Sequence, residues 1–239
     1  VVIGKFLVGM QSIDIKAWTE LLNGSPDANM KNDSATAKSP GSKLNGAYTV
    51  GGKTAQFETL ENATDAVLKR GVCGPVVFKI SDGTYTSSVE LYNAIPGASA
   101  INTITFESAS RDSSKVIMVQ KNGRSSFLIA TDYIIIKNLG FIDSIKGVFT
   151  AYSIQFQKAA KNNVISNCYF KSKIGEQNSI RIETTVTSNT TLNLLIKNNY
   201  FEVKEPFVAP YSSRIRVVNS STNFLVKGVT IAGNFFKNI

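Results

Sequence analysis

Histidine is absent from all 239 residues, and its absence excludes several kinds of functional site. Without an imidazole there is no Ser-His-Asp or Cys-His catalysis and no histidine-ligated zinc. The commonest general base at neutral pH is also missing. Enzyme classes whose mechanism depends on an imidazole are therefore excluded.

Cysteine and long apolar runs are scarce as well. Cys73 and Cys168 are 95 positions apart, lie in apolar surroundings and have no C-x-x-C context. We predict that both are buried thiols outside any disulfide. The longest apolar run, over residues 1–10, is interrupted by Lys5 and is too short to span a bilayer, so no membrane span is expected.

Acidic residues are few in the second half of the chain. Residues 1–112 carry ten basic and eleven acidic side chains, whereas residues 113–239 carry sixteen basic and only six acidic ones. Such a surplus favours an acidic partner, such as an anionic polysaccharide or a nucleic acid. The alternative is a solvated basic exterior without a partner. Twenty of the 26 basic residues are lysines, which suit diffuse attraction better than bidentate recognition.

The residue composition and the hydrophobic pattern of the chain change near residue 44. We predict an N-terminal segment and linker over 1–43, a possible remnant of a preceding domain, with a short amphipathic helix over 13–22 and a linker over 23–41. The second domain is predicted over 44–239. It opens with an amphipathic helix over 57–70, which has Glu58 and Glu61 in its first turns and Gly71 after its last residue.

A repeat of the form I-x-[NG]-x-x-F occurs four times in the second domain. Its copies begin 29, 31 and 35 residues apart. Short strands with a turn between them, repeated at this period, are typical of a solenoid in which each coil buries its apolar residues against the next. The predicted core residues of the repeat are Ile136, Phe141, Ile165, Phe170, Ile196, Phe201, Ile231 and Phe236.

Asparagine recurs at the turn of the repeat. Asn138, Asn167 and Asn198 are predicted to lie above one another, with their amides hydrogen-bonded from coil to coil.

The repeats and the opening segment over residues 74–85, GPVVFKISDGTY, resemble a right-handed parallel β-helix of the pectin-lyase-like superfamily. The resemblance covers residues 44–239 and implies an all-β solenoid with an N-terminal capping helix. Residues 46–52 and 93–106 are similar to β-helix modules in large secreted surface proteins of Bacteroidetes. This similarity implies a secreted or cell-surface location and other domains of a larger parent protein as partners. The β-helix is expected to continue beyond Ile239.

Enzymes of this superfamily imply sites that the chain does not match. The nearest element to the Arg-x-Lys of polygalacturonase-like hydrolases is Arg181-Ile182-Glu183, and the only counterpart of the pectin methylesterase aspartate segment is Asp132-Tyr133-Ile134. No catalytic residue and no metal site are therefore assigned, and no cofactor is expected. A calcium-dependent polysaccharide lyase remains an alternative, because it needs carboxylates for Ca²⁺ and a Lys or Arg base.

Outward positions on the predicted strands supply the candidate binding residues. Strand alternation places Lys137, Ser166, Lys197 and Ala232 in one outward column, in which no acidic residue is expected. Arg214 and Arg216 are expected on one strand face. The candidate residues for binding an anionic glycan are Lys137, Lys197, Arg181, Arg214 and Arg216.

Three functions follow from these residues. The first hypothesis is a non-catalytic secreted or cell-surface module that binds anionic polysaccharide or a cell-surface glycan, or acts in adhesion. The alternatives are the calcium-dependent lyase and a structural spacer of a large surface protein, whose charges would be scattered around the coil. A nucleic-acid partner is not expected, because most phenylalanines occupy inward positions instead of forming an exposed stacking surface.

Overall fold

The computed structural model describes residues 13–18, 34–39, 41–143, 152–172, 179–184, 190–203, 214–219 and 226–238. The chain divides into two units, Val1–Lys43 and Leu44–Ile239. In the first unit, strand β1 (Ile13–Trp18) pairs antiparallel with strand β2 (Ser34–Ser39). The predicted helix is therefore wrong over 13–18, and the predicted linker is wrong over 34–39. The reason is that Ile13, Ile15 and Ala17 also alternate with polar residues at the period of a strand.

The second unit consists of successive coils of short strands. It begins with β3 (Leu44–Val50) and helix α1 (Leu60–Arg70). The first three coils comprise β4 (Val72–Ile80), β5 (Gly83–Thr86), β6 (Val89–Leu91), β7 (Ile104–Ser108), β8 (Val116–Val119), β9 (Phe127–Ile129), β10 (Ile134–Lys137), β11 (Gly140–Asp143) and β12 (Ile154–Phe156). The next three comprise β13 (Val164–Ser166), β14 (Tyr169–Ser172), β15 (Ile180–Thr184), β16 (Thr190–Lys197), β17 (Tyr200–Val203), β18 (Ile215–Asn219), β19 (Val226–Ala232) and β20 (Phe235–Asn238).

Corresponding strands of successive coils stack into three parallel sheets. Sheet 1 has the order β3-β4-β7-β10-β13-β16-β19, sheet 2 the order β5-β8-β11-β14-β17-β20, and sheet 3 the order β6-β9-β12-β15-β18. Each strand pairs in parallel with the equivalent strand of the coil before and after it, so the chain advances by one strand spacing, about 4.8 Å, per coil. The predicted all-β parallel β-helix is confirmed.

The core is a set of inward columns, in which each coil places an apolar side chain on the equivalent one of its neighbour. In sheet 2 the rings of Phe141, Phe170 and Phe201 stack with centroid separations of 4.9 and 4.8 Å. In sheet 1 Ile136 pairs with Ile165 and Ile165 with Ile196, and all three are fully buried. These six predicted core residues are confirmed.

The last two predicted core residues are less buried. Ile231 is 50% exposed and Phe236 is 51% exposed, although Phe236 stacks on Phe201 at 4.8 Å. Ile231 lies on β19 and Phe236 on β20. Among the described strands, each of these two has a neighbour on one side only. An inward side chain therefore needs a coil on each side to be fully buried.

The asparagine ladder is displaced by one residue from its predicted position. Asn138, Asn167 and Asn198 have φ values of 55°, 54° and 54°, so these residues supply the left-handed backbone of the turn. The residue after the turn then points inward. The amide nitrogen of Asn199 donates to the carbonyl oxygen of Ile165 at 3.2 Å, and its Oδ1 accepts from the backbone N–H of Cys168 at 2.9 Å.

The ladder continues at the next coil. The side-chain amide of Asn199 donates to Oδ1 of Asn234 at 2.9 Å, and the amide of Asn234 donates to the carbonyl oxygen of Ile196 at 2.9 Å. The predicted amide hydrogen bonds between coils are thus present at Asn199 and Asn234, whereas the equivalent positions of the two preceding coils are Leu139 and Cys168.

Helix α1 covers the inward columns at the first coil. Thr59 is its N-cap and accepts from the backbone N–H of Asn62 at 3.1 Å, and Leu60, Ala63 and Val67 are buried. The helix ends at Gly71, whose φ of 69° places it in the left-handed region that favours glycine. The helix predicted over 57–70 is confirmed at Leu60–Arg70.

The two cysteines differ in exposure. Neither forms a disulfide, but only Cys168 is buried, whereas Cys73 is exposed. The predicted burial of Cys73 is wrong, because it falls on the outward phase of β4, between buried Val72 and Gly74. Burial raises the pKa of the Cys168 thiol to about 12, which makes it unreactive at neutral pH. Among the described residues, no helix has the length and apolarity needed to cross a membrane.

We predict that Asn199→Ala lowers the free energy of unfolding by about 2–3 kcal/mol, because the carbonyl oxygen of Ile165 and the backbone N–H of Cys168 lose their partner at a buried turn. Urea denaturation followed by circular dichroism measures this change. Asn93→Ala, at an exposed loop position, is the control and should change stability by less than about 0.5 kcal/mol. Equal losses for the two variants would mean that the ladder contributes no stability.

Candidate functional site

The candidate lysines lie on the outer face of sheet 1. The strand register places Lys137 beside Ser166, and Ser166 beside Lys197, which confirms the predicted column. The expectation that no acidic residue stands in it is wrong. Glu107 pairs with Lys137 in the register, and its Oε2 lies 2.9 Å from Nζ of Lys137. This contact was not predictable from the repeat, because β7 precedes its first copy.

The candidate arginines lie on a different face. Arg181 on β15 and Arg216 on β18 are direct partners in the register of sheet 3. Arg214 precedes β18, and its side chain is only 7% exposed. The expectation that Arg214 and Arg216 present two guanidinium groups on one face is therefore wrong for Arg214. The five candidate residues do not form one surface: two lie on sheet 1, two on sheet 3, and one is buried.

The guanidinium group of Arg181 has a defined orientation. Its Nε lies 3.1 Å from Oε2 of Glu183, and its central carbon lies 5.1 Å from the centre of the Tyr152 ring. The amide of Gln155 donates to the same oxygen of Glu183 at 3.3 Å, and its own Oε1 accepts from the hydroxyl of Ser125 at 3.2 Å. These contacts leave the Arg181 side chain 16% exposed and reduce the entropy that it would lose on binding a ligand.

A polar groove precedes this network along sheet 3. Outward residues of successive strands run from Glu90 through Leu128 and Gln155 to Arg181 and then Arg216. One open cavity of about 350 Å³ and a second of about 230 Å³ lie over the first part of this column. The first is lined by Glu61, Ser88, Glu90, Lys121, Asn122 and Arg124, and the second by Ser88, Glu90, Tyr92, Gly123, Arg124, Ser125, Leu128 and Gln155.

Charges of both signs line the groove. Oε1 of Glu90 accepts from Arg124 at 2.6 Å and from the hydroxyl of Ser88 at 3.2 Å. Lys121 lies 3.7 Å from Glu61. Partial burial, together with the charge of Glu90, raises the pKa of the Tyr92 phenol, so it stays protonated at neutral pH. The groove therefore offers hydrogen-bond donors and acceptors side by side, which suits a ligand rich in hydroxyl groups.

Sequence reasoning missed most of this groove. Glu90, Arg124 and Gln155 lie outside the repeat motif, on strands or loops whose register is not visible in the sequence. The position of Glu183 beside Arg181 could have been predicted, because strand alternation in Arg181-Ile182-Glu183 puts the first and third side chains on the same outer face. Tyr152, whose ring contacts the guanidinium group of Arg181, is only 6% exposed.

The calcium-dependent alternative requires several oxygen ligands close together. In the part of the chain that the structure describes, no group of three or more Asp, Glu, Cys or His side chains is placed to hold a metal ion. Glu90 and Glu183 on sheet 3, and Glu61 on α1 beside the groove, each pair with a different basic side chain.

We predict that Gln155→Leu lowers the free energy of unfolding by about 1–3 kcal/mol, because buried Ser125 and partly exposed Glu183 each lose a hydrogen-bond partner. Chemical denaturation measures the change. Gln157→Leu, on the same strand end but partly exposed, is the control and should be close to neutral. A neutral effect of Gln155→Leu would mean that the polar network does not stabilise sheet 3.

Comparison with known proteins concerns the fold. No family model and no curated protein matches the chain. Two crystal structures of the pectin methylesterase from Aspergillus niger, in deglycosylated and penultimately deglycosylated forms, match with TM-scores of 0.38 and 0.37. Each match has 10% sequence identity and covers 82% of this chain and 87% of the methylesterase chain. The assignment of a parallel β-helix to this chain rests on its own strand order and pairing.

Proposed function

We propose that the protein is a non-catalytic, secreted or cell-surface β-helix module that binds an anionic polysaccharide along the outer face of sheet 3. Arg181 and Arg216 are the residues that recognise the acidic groups. The polar groove from Glu90 to Gln155 binds the hydroxyl groups of the same polysaccharide. Binding of this kind supports adhesion to a cell-surface glycan.

The observation that carries the proposal is the direct pairing of Arg181 with Arg216 on neighbouring strands. Like charges opposite each other in a sheet are destabilising, and the two backbones are separated by only about 4.8 Å. A carboxylate or sulfate placed between the two guanidinium groups would offset that repulsion. Arginine also suits such groups because its planar donors bind them in a bidentate manner.

The lysines of sheet 1 contribute in a different way. Lys197 is exposed at the outward column, and Lys137 is held by Glu107. Their separation from sheet 3 makes them a source of general attraction for a polyanion and not part of the same binding surface.

We expect Arg181→Gln and Arg216→Gln each to weaken binding to acidic polymers about tenfold, or about 1.4 kcal/mol. The measurement is affinity electrophoresis of the full chain in gels containing pectate, alginate, chondroitin sulfate or a neutral glucan, at two salt concentrations. Lys53→Gln is the control, since it removes one positive charge at an exposed turn far along the chain from both arginines.

A second variant tests the sign of the effect. Glu183→Gln keeps the shape of the side chain but removes the carboxylate that holds Arg181, so it should strengthen binding to acidic polymers. Glu58→Gln, at an exposed position beside α1, controls for the change in net charge. Equal effects of Arg181→Gln and Lys53→Gln, or of Glu183→Gln and Glu58→Gln, would reject sheet 3 as the binding surface.

A structural spacer is the second candidate function, and the distribution of charge favours it. Basic side chains stand on the outer faces of all three sheets, for example Lys137 on sheet 1, Lys171 on sheet 2 and Arg181 on sheet 3. Each of these three has an acidic partner within 3.1 Å. Unchanged migration in every gel would support the spacer.

A further inference from the structure

The outer face of sheet 2 carries a column of aromatic rings on its last three strands. Tyr169, Tyr200 and Phe235 are partners in the parallel register and point away from the core, since their neighbours Phe170, Phe201 and Phe236 fill the inward column. Ring centroids are separated by 5.6 Å between the tyrosines and by 5.2 Å between Tyr200 and Phe235. Phe235 is 57% exposed and, like the inward Phe236, it lies on β20, which among the described strands has a neighbour on one side only.

A charged column runs beside the rings. Lys171, Glu202 and Lys237 are partners in the same register, two positions along each strand. Nζ of Lys171 lies 2.5 Å from Oε1 of Glu202, and the hydroxyl of Tyr169 donates to Oε2 of Glu202 at 2.6 Å. These two hydrogen bonds lower the pKa of Glu202, so its carboxylate is ionised at neutral pH. The carboxylate is thus fixed between two ammonium groups and next to the aromatic column.

The aromatic and charged columns are not needed to form the coils of sheet 2. In the first three coils the same two outward columns carry small or aliphatic residues, and the sheet is continuous there. Those residues are Thr84, Ile117 and Gly140 in one column and Thr86, Val119 and Ile142 in the other. The aromatic and charged residues are therefore confined to one patch, which we name the sheet 2 platform: Tyr169, Tyr200, Phe235, Lys171, Glu202 and Lys237.

We propose that the sheet 2 platform binds a neutral polysaccharide. Exposed aromatic edges and the open face of Phe235 provide apolar contact area for the C–H faces of hexopyranose rings, while Glu202 and the two lysines provide an acceptor and donors for hydroxyl groups. Charge constrains the ligand only weakly, because Lys171 neutralises Glu202 and leaves one further ammonium group, that of Lys237, in the patch. The aromatic column is therefore the feature that selects the ligand, and its contact with the C–H faces of sugar rings does not require a charge on the ligand.

This site is separate from the one proposed on sheet 3, because its residues lie on a different sheet and its ligand carries no charge. The two proposals therefore fail independently. The protein would connect two different glycans, an anionic one on sheet 3 and a neutral one on sheet 2.

The test uses the full chain in affinity gels that contain hydroxyethylcellulose, galactomannan or amylopectin, with a pectate gel alongside. We expect Phe235→Ala and Tyr200→Ala to weaken retardation by at least one of the neutral polymers about tenfold and to leave migration in pectate unchanged. Phe235→Tyr should retain binding. Thr84→Ala, an exposed position in the same column of the first coil, is the matched control and should behave like the unchanged protein.

Several outcomes would overturn the proposal. They are the absence of retardation by all three neutral polymers, an equal loss in Thr84→Ala and Phe235→Ala, and a loss in Phe235→Ala that appears only in the pectate gel. Retardation by single-stranded oligonucleotides that Phe235→Ala abolishes, without any by the neutral polymers, would also overturn it, because the rings would then be stacking bases. Circular dichroism of each variant shows whether the fold is intact, and Phe235 is suitable because its side chain is already more than half exposed.

Discussion

The in-register stacking of each coil on its neighbour is the constraint on which the rest of the structure depends. Parallel pairing places equivalent residues of successive coils about 4.8 Å apart, so one side chain can be buried only if the next coil supplies a matching one. Phe141, Phe170 and Phe201 satisfy this condition with ring separations of 4.9 and 4.8 Å. The half-exposed Ile231 and Phe236 show what happens when a coil has a described neighbour on one side only.

The same stacking produces the outer surfaces. Because strand alternation repeats at every coil, an outward residue also lies directly above its equivalent, and any regularity in the sequence becomes a column of identical chemistry. Three different columns result: lysines with Glu107 on sheet 1, aromatic rings with Glu202 on sheet 2, and a polar groove ending in two arginines on sheet 3. Stacking like charges is unfavourable, and Lys137, Lys171 and Arg181 each have a carboxylate beside them.

Much of the fold was predictable because its signals are local or periodic. The four repeats identified Ile136, Phe170 and their equivalents as core, and the pattern of acidic start, basic end and glycine stop located α1. The predicted asparagine ladder was wrong in its residues, because Asn198 adopts the turn and the next residue, Asn199, makes the hydrogen bonds between coils. The sequence pattern cannot tell which of two adjacent residues adopts the left-handed turn, and that choice decides which side chain points inward.

The candidate site was less predictable than the fold. The column of Lys137 and Lys197 followed from the repeat, but its partner Glu107 lies in a coil without the motif. The pairing of Arg181 with Arg216 depends on the lengths of the loops between coils, which set the register and do not themselves repeat. The aromatic column was visible in principle, because the residue before each inward phenylalanine of the repeat must point outward.

The sequence by itself determined the solenoid, its helical start and its inward columns, because these depend on the order of apolar and polar residues along each strand. Only the tertiary structure decided which outward residues meet and which charges are neutralised. The net positive charge of the second half is a property of composition, whereas its distribution over three faces is a property of the fold. Contacts such as Lys137 with Glu107 join residues from different coils, and their distance is set by the stacking of the coils and not by their separation along the chain.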